Sequence, residues 1–497
     1  MGRLSIADRS PEARNALAVL AGVLGLLLAL RLAALWLNAT DLFFDEAQYW
    51  SWSLEPAFGY YSKPPLIAWV IRLATDSCGS SEFCIRLPSP IIHTATALIV
   101  FLIARRLYDV RVAVLAAIVM ATLPGVSVSA GIISTDVPLL LFWALALLGL
   151  VHILQTRAWW PAWLLGIALG LGLNAKYAMA WFVGCLAIYL LVTPERRGLL
   201  KDARLYLALA IAAALIAPNM MWNEAHSFAT FAHTADNAKW GGRIGNPLKA
   251  LEFLGAQFGV FGPILFGALL VIVWRAWKEG LAEADRLLLA FCLPVVAAIT
   301  VQAFLSRAHA NWAAVAYVSA AVLVTATMVR DLEWRWLKAS LVLHGLVLVV
   351  VAGAVVLAGR IDLPQGKDPF ARTLGWREVA DATRAELAAA RLAGRPFGAV
   401  LTDDRPLTAE LLYYMRDETT PILAWREGPR PRDHFELTRA YGEGSPEPVL
   451  LVSLTADPAR IKEAFSSREL IATRTLPAGR NDVRRVTFHA LAGYERR

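Results

Sequence analysis

Residues 15–37 read NALAVLAGVLGLLLALRLAALWL and run straight into NATDLFFDEAQYWSW over 38–52. The first stretch carries a single charge, Arg31, and is long enough as a helix to cross about 30 Å of hydrocarbon. The second sets two adjacent carboxylates, Asp45 and Glu46, among aromatics immediately beyond it. Further apolar runs follow near 89–107, 112–131, 134–152, 160–175, 177–193, 205–222, 251–274, 287–305, 313–329 and 339–358. Asn174 and Lys176 interrupt one long run between 160 and 193, so two helices meeting at a polar turn fit a bilayer better than one overlong helix. The first segment is longer than a secretory signal core, and no small-x-small cleavage site follows it; it reads as an uncleaved start.

Composition agrees. Hydrophobic residues make up 57% of the 497 and charged residues 18%, against roughly 25% charged in a soluble protein. That excludes a disordered, fibrous or ordinary cytosolic chain. The net charge of +8 lies largely in short connections between apolar runs, which speaks for membrane orientation and against nucleic acid as a partner. Four cysteines in a chain this long do not make a disulfide framework.

Alternate connections are basic: Arg3, Arg9 and Arg14; Arg105, Arg106 and Arg111; Arg157; Arg196 to Arg204; Arg275 to Arg286; Arg330 to Lys338. The positive-inside rule places these in the cytoplasm. The opposite face then carries loop 38–88, the Asn174–Lys176 turn, loop 223–250, loop 306–312 and everything beyond about 360. That tail is more charged and punctuated by Pro and Gly. Helical periodicity at 376–394 and 406–416 and strand-like runs at Gly398–Leu401, Pro448–Ser453 and Val483–Ala490 predict a small α/β domain. The expected fold is mainly α: a polytopic helical bundle of about eleven transmembrane helices over 1–359, and a C-terminal α/β domain over 360–497.

The exterior loops hold the chemistry. An acid such as Asp45 at the membrane surface is partly desolvated and suited to proton transfer; equally, it and Glu46 can cap a helix inside an aromatic belt. Lys63 precedes Pro64-Pro65 and an apolar stretch, 66–74, too short to span and expected to lie in the interface. There an ammonium meets lipid phosphates or snorkels as an anchor. Cys78 and Cys84 lie in the same loop, where a bridge or two packed thiols are both sterically allowed; Cys185 and Cys292 fall within spans. Asp136, after Ser134-Thr135, suits a helix first turn. Lys176 at an exterior turn between apolar helices needs an anion. His226, His233, His309 and nearby acids can be assembled into a divalent-cation site on paper, but no tight ligand spacing supports one. The nominated residues collect at span ends on one face, as a lipid-linked anionic substrate entering from the bilayer would require.

The run Phe44-Asp45-Glu46-Ala47-Gln48-Tyr49-Trp50 followed by Gly59-Tyr60-Tyr61-Ser62-Lys63-Pro64-Pro65 resembles the first periplasmic loop of bacterial GT-C membrane glycosyltransferases. These are relatives of protein O-mannosyltransferases and of the lipid A aminoarabinose transferase. The resemblance continues through Arg86-Leu87-Pro88, Ser134-Thr135-Asp136-Val137-Pro138, Lys176-Tyr177, Trp222-Asn223 with His226, and Asn311-Trp312. It covers roughly residues 40–320. Ser62 stands where aminoarabinose transferases carry an acid, which leaves sugar and acceptor open.

The resemblance implies a bacterial inner-membrane enzyme with a cytoplasmic N-terminus and a periplasmic tail domain. It implies inverting sugar transfer from a polyprenyl-phosphate donor to an envelope acceptor: lipid A, glycan, carrier lipid or protein. Asp45 matches the first-loop acid and takes the role of general base, Glu46 supports it, and Asp136 positions the acceptor or shares that role. Lys63, Lys176 and Arg307 are the donor-phosphate candidates. Tyr49, Tyr60, Tyr61 and Trp312 are candidates to stack on sugar or prenyl chain, and Arg86, Tyr177, His226 and Asn311 complete the substrate-binding set. The resemblance names no certain cofactor and leaves a divalent cation open. A lipid-linked sugar flippase is the reading from another class; it calls for ionisable groups near the midplane, where Arg31 is the chief example and lies close enough to the exterior to snorkel. A non-catalytic envelope scaffold would leave Asp45, Lys63 and Asp136 dispensable.

Overall fold

The computed structural model describes residues 11–238, 245–360 and 368–495. Arg3 and Arg9, counted above among the basic connections, lie outside the described residues, as do residues 239–244 of the loop 223–250. The apolar runs are mainly helical, with breaks near Leu123, Gly262 and Phe291. Among the described residues six helices are long and apolar enough to cross a membrane: Arg14–Trp36, Glu82–Leu107, Asp136–Gln155, Ala203–Ala225, Glu283–Leu305 and Trp334–Val356. The run 251–274, read as one straight span, is instead two helices, Pro247–Val260 and Pro263–Glu279, that meet at 118°. The cause is local. Gly262 takes a φ of +93°, and Pro263 after it has no N–H to continue the first helix. Val110–Thr122, Trp160–Ala175, Tyr177–Val192 and Ala316–Arg330 are apolar but shorter.

The chain packs as two compact units. One comprises residues up to 36, 63–70 and 86–352; the other comprises 37–62, 71–85 and the chain from 353 onward. In the first unit, side-chain caps begin the helices where the sequence supplies them: Asp109 accepts from the Val112 N–H at 2.9 Å and Asp202 from the Arg204 N–H at 2.9 Å. Helix Trp160–Ala175 lies tightly on Ala203–Ala225 because Gly166 and Gly170 have no side chain. A Cβ at Gly166 would stand 2.7 Å from the Ala208 carbonyl oxygen, and one at Gly170 2.6 Å from Leu215. Close approach of small residues replaces the missing hydrophobic drive between helices in lipid. Leu26, Leu30, Val342 and Val349 are among many large apolar side chains left exposed on helix faces, a surface that requires lipid.

The basic connections of this unit are tied to one another. Arg196 pairs with Glu283 at 2.6 Å and Arg275 with Asp331 at 2.6 Å. Buried Asp285 accepts from the Tyr108 hydroxyl at 2.5 Å and from Arg330 at 2.9 Å. These pairs bring the connections around 108, 196, 283 and 330 together.

The second unit holds a five-stranded sheet of β1 (Ala399–Thr402), β2 (Ile422–Ala424), β3 (Val449–Ser453), β4 (Phe465–Pro477) and β5 (Val483–Tyr494), in the order β2-β1-β3-β5-β4. β1 runs parallel to β2 and β3, whereas β5 is antiparallel to β3 and β4. The first-loop helix Phe44–Leu54 packs on helix Arg405–Tyr414 of the tail. Buried Asp41 accepts from the Trp376 N–H at 2.9 Å and from Arg377 at 3.1 Å, while Glu82 accepts from Arg377 and from the Tyr414 hydroxyl, the latter at 2.5 Å. The Tyr413 hydroxyl donates to the Ser80 carbonyl at 2.9 Å, and Cys78 is bridged to Cys84. The sequence-based boundary at 359/360 leaves loop 38–88 with the spans; by packing, most of that loop goes with the tail.

Gly262→Ala should lower stability by about 2 kcal/mol or more, because its positive φ disfavours any Cβ and the added carbon would stand 2.3 Å from the His344 Nε2. Thermal unfolding of the purified protein in detergent checks this, with Gly345→Ala, which meets nothing within 4 Å, as the comparison. An unchanged midpoint for Gly262→Ala would contradict the bend.

Candidate active site

In the first unit, three helix ends converge on one carboxylate. Asp136 opens the helix Asp136–Gln155 and is buried. Its Oδ1 accepts from Lys176 Nζ at 2.7 Å and its Oδ2 from Asn311 Nδ2 at 2.6 Å. Lys176 can reach it because helix Trp160–Ala175 stops there: the lysine adopts an extended backbone between that helix and the 3-10 turn Tyr177–Ala180. Tyr177 is fastened next to it, donating to Asn219 at 2.7 Å and accepting from Asn223 at 3.1 Å.

Beside this pair stands His309. Burial pulls its imidazole below the ordinary 6.5, and the charges of Arg307, Lys176 and Lys63 add to the effect. The three cations nominated from sequence therefore act on a single ring. The Arg307 Nε is buried without a hydrogen-bond acceptor among the described residues, a costly state unless an anion arrives. Trp312 meets the His309 ring edge-on at 5.4 Å.

In the second unit, Asp45 sits in the first turn of helix Phe44–Leu54 with its side chain about a third exposed. Its Oδ1 accepts from Arg405 Nη1 at 2.8 Å, and the same nitrogen donates to Gln48 Oε1 at 2.9 Å. The Arg405 guanidinium lies 4.8 Å from the centroid of the Phe44 ring.

Several nominated residues have structural partners instead of an open aspect. The Glu46 carboxylate turns back to accept the Phe43 N–H at 2.9 Å at the start of the helix. Tyr60 stacks on Trp52 at 4.6 Å, and its hydroxyl donates to the Trp52 and Glu55 carbonyls; burial pushes that phenol up to about 12. Tyr61 donates to the Pro431 carbonyl at 2.8 Å, and Tyr49 is buried against Trp52. Arg86 is fully buried. His226 stacks on Trp222 at 4.0 Å, with its Nδ1 2.7 Å from the Trp222 carbonyl oxygen. Arg31 does not snorkel. It is buried and donates to the Ala121 carbonyl, one of the acceptors left over where helix Val110–Thr122 ends.

Arg405 is the contact that sequence reasoning missed, since nothing in the tail marks it as a neighbour of the first loop. Among the described residues no group of three or more His, Cys, Asp or Glu side chains could hold a metal ion. A cavity of about 630 Å³, lined by Ile188, Val192, Gly280, Arg286 and Pro294, adjoins the basic connections and includes none of the nominated residues.

Known proteins resemble the chain over most of its length. The lipid A galacturonosyltransferase RgtD of Rhizobium johnstonii is 38% identical over 408 residues, 82% of this chain and 84% of the relative. The chain belongs to the GT-C glycosyltransferases of the lipid A modification type. The family profile of dolichyl-phosphate-mannose-protein mannosyltransferase matches residues 62–222. The undecaprenyl phosphate-alpha-4-amino-4-deoxy-L-arabinose arabinosyl transferase of Pseudomonas aeruginosa is 33% identical over 163 residues, 32% of this chain and 29% of the relative. The crystal structure of ArnT from Cupriavidus metallidurans bound to undecaprenyl phosphate shares the fold, with a TM-score of 0.66 at 14% identity over 95% of this chain and 98% of that one. Membership makes this chain a polytopic membrane glycosyltransferase, and the flippase and scaffold readings fall away.

Lys176→Met should destabilise the protein by on the order of 3 kcal/mol, because it strands the buried Asp136 carboxylate. The double variant Lys176→Met/Asp136→Asn should recover part of that loss. Unfolding midpoints of both in detergent are the measurement; equal losses would mean that the pair is not coupled.

Proposed function

We propose that the protein transfers a galacturonosyl group from a polyprenyl-phosphate donor to lipid A at the periplasmic face of a bacterial inner membrane. In this reading the chain crosses the membrane about eleven times, its N-terminus is cytoplasmic and its C-terminal α/β domain periplasmic. The sugar is favoured by the 38% identity to RgtD across 82% of the chain, compared with a 32% share for the aminoarabinose transferase. The single observation that carries the chemistry is the buried Asp136 carboxylate holding Lys176 at 2.7 Å and Asn311 at 2.6 Å, in the same unit as the buried Arg307 Nε, which has no acceptor among the described residues.

The reaction asks two things of the protein. An acceptor oxygen attacks the anomeric carbon while the bond from that carbon to the phosphate oxygen breaks, and the bonding electrons leave with the polyprenyl phosphate. Charge on that phosphate grows in the transition state, so fixed cations stabilise it more than the ground state. Lys63 and Arg307 hold the phosphate. Lys176 contributes charge but is already engaged by Asp136 at 2.7 Å, which makes Asp136 an organiser of the phosphate site. Asp45 takes the proton released by the acceptor as the new bond forms. Asn311 and Tyr177 hold the Asp136 cluster in shape, and Trp312 offers an apolar face near His309.

His309 supplies a signature. Its folded-state pKa lies below the unfolded 6.5, so on acidification the unfolded chain takes up a proton that the folded one refuses. The histidine's contribution to stability is present above about 6.5 and is lost as pH falls through that value. A bound phosphate offsets the cations and raises the imidazole again. Donor binding should therefore draw in a proton, and affinity should rise as pH falls from 8 toward 6. Calorimetry with undecaprenyl phosphate in buffers of differing ionisation enthalpy reads that proton, and His309→Asn should abolish the uptake without abolishing binding. Binding of undecaprenyl phosphate with no proton exchange in the unaltered protein would separate His309 from the phosphate site.

Asp45→Asn should abolish transfer while leaving membrane insertion and the unfolding midpoint unchanged. Lys63→Ala should raise the apparent KM for donor more than that for lipid A; equal rises would argue against a phosphate contact. Lipid A from a deletion strain, examined by mass spectrometry, should lack a uronic acid. Loss of an aminopentose instead would overturn the choice of sugar.

A further inference from the structure

We propose that Arg405, delivered by the sheet-containing segment of the second unit, is a positioning residue for Asp45, so that the C-terminal domain orients the general base. The proposal rests on the reading of Asp45 as the general base. Two features of the geometry point to it.

First, Arg405 fixes one edge of the carboxylate and leaves the other. Its Nη1 bridges Asp45 Oδ1 at 2.8 Å and Gln48 Oε1 at 2.9 Å, groups three residues apart and so on one face of the same helix. Gln48 is buried, and the guanidinium is seated over the Phe44 ring at 4.8 Å. Arg405 is thus gripped from three side chains of one helical turn. Asp45 Oδ2 has no hydrogen bond to another described residue, and the side chain is 37% exposed. An ion pair this exposed adds little stability. What it does supply is direction: a carboxylate held by one oxygen presents the other in a fixed orientation, which is what a proton acceptor requires.

Second, the topology puts Arg405 where a sheet of this kind carries function. β1 ends at Thr402, and after Asp403 and Asp404 the helix Arg405–Tyr414 begins with Arg405 itself. From β1 the chain passes to β2 on one side, then crosses to β3 on the other. The carboxyl end of β1 is therefore the point at which the strand order reverses, the place where open α/β sheets present functional groups.

The test uses the full-length enzyme in detergent or nanodiscs, with polyprenyl-phosphate-linked sugar and lipid A as substrates. Arg405→Ala should lower kcat at least tenfold, within the range that a well-placed general base contributes, with both apparent KM values within about twofold. Added methylguanidinium should restore part of kcat, and Arg405→Lys should retain more activity than Arg405→Ala. Arg391→Gln, which breaks the pair with Glu418 elsewhere in the same segment, should leave kcat unchanged. An unaltered kcat in Arg405→Ala, or a donor KM that rises while kcat holds, would overturn the proposal. Should Arg405→Ala not fold, the kcat of Arg405→Lys against KM decides on the same terms. The two readings fail separately: turnover by Asp45→Asn removes the base, whereas a dead Asp45→Asn beside a fully active Arg405→Ala removes only Arg405.

Discussion

A carboxylate buried at the head of an apolar helix cannot stand alone. Taking Asp136 out of water costs several kcal/mol unless donors meet both oxygens, and here Lys176 and Asn311 do so at 2.7 and 2.6 Å. That requirement joins three segments far apart in sequence: the start of helix Asp136–Gln155, the break after Ala175, and the short turn at Ala310–Ala313. It ties the Lys176 turn to the Asn311 turn, two residues from His309. The Asp136 carboxylate in turn compensates the Lys176 charge, at 2.7 Å.

The helix breaks serve the same end. In lipid an interrupted helix leaves backbone groups without partners, so breaks survive only where other groups satisfy them. Asn174 donates to the Gly170 and Leu215 carbonyls at 2.9 Å each, closing the end of helix Trp160–Ala175 just before Lys176. Arg31 does likewise for the Ala121 carbonyl. Polar residues that look misplaced in an apolar run are here the groups that make a break tolerable.

The break at Asn174–Lys176 and the apolar runs were legible because they depend on local composition; the break after Thr122 and the bend at Gly262, inside runs read as single spans, were not. Asn174 and Lys176 mark the turn. The tail strands β1, β3 and β5 were legible for the same reason, being apolar runs. β2 is only three residues long, and β4, reading FSSRELIATRTLP, is exposed along most of its length and charged as an edge strand must be; neither carries a pattern. The partners of the first-loop aromatics were not legible. Tyr49, Tyr60 and Tyr61 have the chemistry to stack on a sugar, and the sequence offers no sign that Trp52, the Glu55 carbonyl and the Pro431 carbonyl occupy them first. A side chain's chemistry can be read from its residue type, but its availability depends on partners hundreds of residues away.

The pairing of loop with tail is the strongest case. Asp41 with Arg377, Glu82 with Tyr414 and Asp45 with Arg405 each join residues more than 300 positions apart. None of these pairs has a spacing that a single sequence can reveal. Their physical logic is nonetheless plain. A loop rich in acids and aromatics cannot bury itself, because its carboxylates need cations and its rings need a surface. The tail provides both, in arginines at helix starts and in Tyr413 and Tyr414. The Asp41 carboxyl is pushed up by burial and drawn down again by the Trp376 N–H and the Arg377 charge, so this contact holds only while the tail is in place. Loss of the tail domain would thus expose the first loop and remove the partners that order it, the Arg405 contact to Asp45 among them.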